Sequence, residues 1–178
     1  VADTAVQTRA LIEGIEVRAI DEDARTATFV AATERGVDTW YGREHLRIKG
    51  VNLERFRKNP VVLDTHNRYE AGAVIGKAKM SVEGRLLIAE VQFAETDRAM
   101  EIWELVKTGF LNAVSVGFIP GETLVLSDGE SDGRGENKID GPARVVKAWE
   151  LFELSVVPVP ADADALRRSF LHGETVEL

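Results

Sequence analysis

The chain has 178 residues, with 22 Lys or Arg against 30 Asp or Glu, a net charge of -8, and no cysteine. That length suits one well-buried core and is short for two, so a single domain over residues 1–178 is expected. The acidic balance disfavours a primary role in gripping DNA or an anionic membrane, and the absence of cysteine removes disulfides, thiolate metal sites and thiol nucleophiles.

The opening VADTAVQTRALIEG carries no basic segment leading into a long apolar one, and no run of about 18 apolar residues occurs, so neither a signal peptide nor a spanning helix is expected. It begins with Val1 where methionine is expected and reads as trimmed. GIEVRAI and ARTATFVAAT alternate apolar and polar residues around the turn-forming DEDA, which predicts a hairpin. GVDTWYG suggests a further short strand. LERFRKN follows as a short helix ended ahead of Pro60, because the residue before proline is pushed out of the α region, and PVVLDTH returns to strand.

AGAVIGKAKMSV and GRLLIAEVQF read as a second hairpin turning at Glu83 and Gly84. TDRAMEIWELVKTG is the clearest helix: Thr96 can cap it, Met100, Trp103, Leu105 and Val106 form its apolar side, and Gly109 ends it. NAVSVGFIP is a strand. Residues 121–142 hold five glycines and many acids and read as a mobile surface loop. ARVVKAWELFELSVVPV returns to the sheet, and ADADALRRSFLHG predicts a C-terminal helix. No repeat of 20 to 50 residues is visible, so solenoids and propellers are set aside. The predicted class is mainly β, or α+β.

Three residue types able to act together lie within or at the end of apolar strand runs: His66 in NPVVLDTH, Ser115 in LNAVSVGF and Glu153 in WELFELSVV. A base, a nucleophile and an orienting acid are the inventory of a serine hydrolase. Ser115 is not in a G-x-S-x-G elbow, since position 113 is alanine, which counts against an α/β-hydrolase. His45 in GREHLR and His172 in FLHG read as exposed and structural. Two acids compete for the third role, because strict alternation puts Leu151, Glu153 and Ser155 on one face and Glu150, Phe152, Leu154 and Val156 on the other. Asp64 is a further alternative, sharing a strand face with His66. A zinc enzyme has little to build on without cysteine or H-E-x-x-H, and no cofactor is predicted. The pair Arg167 and Arg168 reads as ordinary solvated charge, and no oxyanion donors can be assigned.

The phrases FRKNPVVLDTHNRYEAGAVIGKAKM, LLIAEVQF, ELVKTGFLNAVSVGFIP and WELFELSVVPVPADADAL, in this order and spacing, resemble the prohead maturation proteases of tailed bacteriophages from about Val17 to Leu166. That resemblance implies a closed or nearly closed antiparallel β-barrel surrounded by helices, similar to the herpesvirus assemblins. It implies Ser115 as nucleophile, His66 as general base and Glu153 as orienting acid; the strand faces leave Glu150 or Asp64 as alternatives for the acid. The implied partner is the major capsid protein precursor with its scaffolding segment, cut inside the immature procapsid in the host cytoplasm, together with self-cleavage. A homo-oligomer is compatible with it; nucleic acid and membrane are not implied. The rival reading is a non-catalytic capsid-assembly module that uses a β-barrel surface for binding.

Overall fold

A computed structural model describes residues 7–9 by their backbone and residues 20–160 in full. The β-branched and aromatic runs become strands β1 (Gln7–Arg9), β2 (Thr26–Thr33), β3 (Val37–Thr39), β4 (Gly42–Leu46) and β5 (Val51–Asn52). Helix α1 (Glu54–Lys58) then leads to β6 (Val61–Asp64), β7 (Val74–Glu83) and β8 (Leu86–Phe93). Helix α2 (Asp97–Lys107) is followed by β9 (Ala113–Pro120), β10 (Thr123–Leu126), β11 (Ser131–Asp132), β12 (Ile139–Asp140), β13 (Ala143–Val146) and β14 (Trp149–Val157).

The main sheet has the order β1-β9-β14-β6-β7-β8-β2, with β5 also pairing β14. It curls into a half-barrel, bringing β2 back to within 8 Å of β9 between Cα atoms. Two expectations change here. No hydrogen-bonded ladder joins β2 to β9 among the described residues, and the sheet is mixed, since β14 runs parallel to β5 and β6. Side-chain alternation carries no strand direction, and the long excursion from β6 to β14 supplies the crossover that parallel neighbours need. Most of GIEVRAI and the predicted C-terminal helix lie outside the described residues. Of the first hairpin, the turn is described: Asp21 and Thr26 exchange both backbone bonds at 3.0 Å.

The concave side holds the core, where Phe29, Ile75, Leu87, Phe93, Val116, Phe118 and Leu154 are buried. Helix α2 packs against β7 and β8. The Thr96 hydroxyl accepts from the Ala99 N–H at 3.4 Å, and Ala99, Ile102, Trp103 and Val106 face inward, with Trp103 5.2 Å from Phe93 between ring centroids. Leu105, expected on the buried side, is 45% exposed, because Ile102 and Val106 rather than Leu105 continue the inward stripe. Gly109, at φ 87°, then lets the chain turn into β9 and so fixes where Ser115 emerges.

The 121–142 segment carries regular structure in place of an irregular loop. β10 joins a second sheet of order β10-β13-β4-β3, in which GREHL supplies a strand not predicted from its charges. Leu126 and Ile139 pack with Ala143 and Val145 in a small core of their own. Arg47 ties the β11–β12 ribbon to this sheet, donating to Asp132 Oδ2 at 2.8 Å, the Asn137 carbonyl at 2.9 Å and Glu34 Oε2 at 3.1 Å. The few apolar residues and the side chain-to-backbone ties are what a charge-rich stretch uses when it cannot bury much apolar area.

Arg47 and Lys147 together hold the Asp132 carboxyl below the usual carboxylate range. A folded value below the unfolded one contributes stability that is complete above the unfolded value and is lost as pH falls through the lowered one. Asp132→Asn should therefore lower the thermal midpoint at neutral pH, with the gap to the wild type closing in acid. Midpoints measured across that range test this, and a gap independent of pH would remove Asp132 from the acid limb.

Candidate active site

Strands β9 and β14 run antiparallel through the middle of the sheet, with Ser155 opposite Ser115 and Glu153 opposite Gly117. A bulge interrupts the ladder between Leu151 and Glu153, leaving Phe152 as the extra residue. Its effect is to shift the side-chain alternation by one. Trp149, Leu151, Leu154 and Val156 all turn to the core with Val116 and Phe118, while Glu150, Glu153 and Ser155 share the opposite face with Gly117 and Ser115. The strict two-face alternation predicted for this strand is thus corrected: Glu150 and Glu153 do lie on one face.

β6 runs beside β14 and delivers His66 to that face. The strand does not continue through it: Thr65 at φ 48° and His66 at φ 58° are both left-handed, so the chain turns sharply after Asp64. For residues with a Cβ, and a β-branched one above all, such a conformation costs on the order of 1–3 kcal/mol each and persists only where the surroundings impose it. Here the Thr65 N–H donates to the Val156 carbonyl at 3.0 Å, the Asn67 N–H to the Asp64 carbonyl at 3.0 Å, and the His66 N–H to Ser155 Oγ at 3.1 Å.

This turn sets His66 Nδ1 2.5 Å from Glu153 Oε1, while Glu153 Oε2 accepts from the Ser155 hydroxyl at 2.6 Å. The carboxylate is nearly buried at 5% exposure, and both of its oxygens are hydrogen-bonded, as burial of a charge requires. With the Glu153 carboxylate as acceptor, this contact suits the tautomer that carries its proton on Nδ1 and leaves Nε2 as an acceptor. The His66 side chain is 29% exposed, so solvent reaches it. Ser115 lies one strand away, on the same rung as Ser155, which itself holds the His66 backbone. Its Oγ is buried and has no hydrogen-bond partner among the described residues. A buried hydroxyl left unpaired is unusual enough to need a reason.

Room for Glu153 comes from Gly117. A Cβ added there would stand 2.6 Å from Glu153 Oε1 and 2.8 Å from its Cγ, closer than packed atoms come. Gly117→Ala should push the carboxylate off His66, and the far-downfield Nδ1 proton resonance of a short imidazole–carboxylate bond is the readout. Persistence of that resonance would show that Glu153 has space to spare.

The other candidates go elsewhere. Glu150, although on the same face, accepts from Arg55 at 2.9 Å. Asp64 binds Arg98 at 2.6 Å and accepts the Thr65 hydroxyl at 2.8 Å, and the left-handed turn ends the strand face it was expected to share with His66. His45, read as exposed, is half-buried on β4 with Nδ1 3.0 Å from the Glu34 carbonyl. His172, Arg167 and Arg168 lie outside the described residues. Ser155 and Gly117 were passed over in the sequence. The signal for Gly117 was there to read, since an isolated glycine inside a strand marks a close approach by another group.

The model of the family described as caudovirus prohead serine protease matches residues 56–175. That span contains His66, Ser115 and Glu153. Among curated proteins, the chain is 31% identical over 136 residues to the major capsid protein of Halomonas phage phiHAP-1, covering 74% of this chain and 21% of that protein. It is 28% identical over 161 residues to the capsid polyprotein of Pseudomonas phage PAJU2, covering 85% of this chain and 21% of that protein. The chain thus spans about a fifth of the length of the curated relatives it matches. No solved structure matches it significantly.

Proposed function

The chain belongs to the caudovirus prohead serine protease family, and on that premise we propose that it is a serine endopeptidase with Ser115 as nucleophile, His66 as general base and Glu153 as orienting acid. The observation that carries this reading is the 2.5 Å contact of Glu153 with His66 Nδ1, one strand from a serine whose buried hydroxyl has no hydrogen-bond partner among the described residues. Ser155 has the opposite character: its hydroxyl is committed to Glu153, so it orients the acid and does not attack.

In the proposed cycle the Ser115 hydroxyl attacks the scissile carbonyl as His66 Nε2 takes its proton. Glu153 stabilises the resulting imidazolium. The imidazolium then protonates the leaving amine, and a water activated by the same nitrogen hydrolyses the acyl-enzyme. No metal or cofactor enters the cycle.

The substrate we propose is the scaffolding portion of a capsid precursor, cut within the immature shell in the host cytoplasm. Relatives in which the matching segment is only 21% of the protein, named as a major capsid protein and a capsid polyprotein, support a further step in which the protease segment also cuts its own precursor. We place all 178 residues in one protease domain of assemblin-like fold, a barrel ringed by helices. Those same names favour a second reading, a capsid-assembly module without catalysis. Treatment with diisopropyl fluorophosphate separates the two. A phosphorylated Ser115, lost in His66→Ala, is expected of the protease, and an unmodified chain of the assembly module.

A further inference from the structure

The bulge that aligns Glu153 also creates a small cationic shelf beside it. Phe152, the extra residue, is half-buried, and the guanidinium carbons of Arg55 and Arg68 lie 4.9 Å and 5.4 Å from its ring centroid. The two arginines differ in their remaining bonds. Arg55 is neutralised by Glu150 at 2.9 Å, and Arg47, Arg98 and Arg144 likewise have carboxylates within 4.0 Å. Arg68 has no carboxylate partner among the described residues, although the chain holds eight more acids than bases. Its remaining contact is cation–π, 5.9 Å from the centroid of Tyr69, which is 89% exposed.

Stacking on aromatic faces holds a guanidinium flat and leaves its N–H edge for a carboxylate, the geometry in which arginine is most selective. Arg68 is two residues after His66, and the ring it rests on belongs to the neighbour of Glu153. An extended substrate passing Ser115 would therefore run beside an unmatched positive charge. We propose that Arg68 makes this site selective for substrates with a Glu or Asp side chain near the scissile bond. This rests on the assignment of Ser115 as nucleophile.

The test uses internally quenched peptides in which each position in turn is fixed as Glu, Gln or Lys. At one position the wild type should prefer Glu over Gln by about tenfold in kcat/KM, the size of a partly exposed charge-assisted hydrogen bond. The preference should shrink at high salt. Arg68→Ala should bring Glu and Gln to within about twofold of each other, and Arg68→Glu should move the preference to Lys at the same position. Labelling of Ser115 by diisopropyl fluorophosphate, run alongside, reports the nucleophile independently of any peptide. A labelled Ser115 with no Glu preference, or with a preference unchanged in both variants, overturns the role of Arg68 alone. An unlabelled Ser115 with no cleavage overturns the protease assignment and the selectivity with it.

Discussion

Ser115→Ala should abolish peptide hydrolysis, with kcat falling on the order of 10⁶-fold, while the thermal midpoint stays within a few degrees of wild type or rises slightly. The two halves of this expectation have different causes. In the proposed cycle a single oxygen forms the acyl bond, and nothing on the same rung would replace it, because the Ser155 hydroxyl is held by Glu153 at 2.6 Å. Stability is spared because the Ser115 hydroxyl is buried without a partner among the described residues, and removing an unsatisfied polar group costs little or is favourable. Hydrolysis rates and melting curves on the same two preparations read both halves. A variant that cleaves at the wild-type rate would contradict the assignment of Ser115.

Glu153→Gln should lower kcat by about 10⁴-fold, the scale seen when a serine protease loses its orienting carboxylate but keeps its geometry. A neutral amide cannot stabilise the imidazolium, and it can present its own N–H to the ring and so favour the wrong tautomer. Glu150→Gln is the matched control. It breaks an ion pair whose side chains are 54% and 32% exposed, worth about 0.2–1 kcal/mol, and should change turnover by no more than a few-fold. Turnover numbers of the two glutamine variants in parallel decide between the acids, and an inactive, folded Glu150→Gln beside a nearly normal Glu153→Gln would reverse the assignment.

How far the sequence discloses this site can be followed residue by residue. Ser115 and His66 can be picked out as candidates because each is a polar residue in or beside an apolar run and falls within the phrases that resemble the family. The strands and α2 are legible from their periods of two and 3.6. The face of Glu153 is not, because alternation assumes an unbroken ladder and the bulge at Phe152 inserts a residue. A bulge made of ordinary side chains leaves no mark in composition. The left-handed turn at Thr65 and His66 is hidden for a similar reason, since neither residue favours positive φ and the conformation is imposed by Val156 and Ser155 on a strand some ninety residues away. The structure within residues 121–142 is masked by its glycines and acids, because ties such as Arg47 to Asp132 depend on tertiary position and not on pattern.

The central claim is that the His66, Ser115 and Glu153 cluster cuts capsid precursor. Its most direct test is to incubate wild type and Ser115→Ala with a capsid precursor that carries its scaffolding segment and to measure the intact masses of the products over time. Discrete fragments that accumulate with wild type and never with Ser115→Ala are the expected result. The same fragments appearing with both proteins, or an uncut precursor with both, would contradict it.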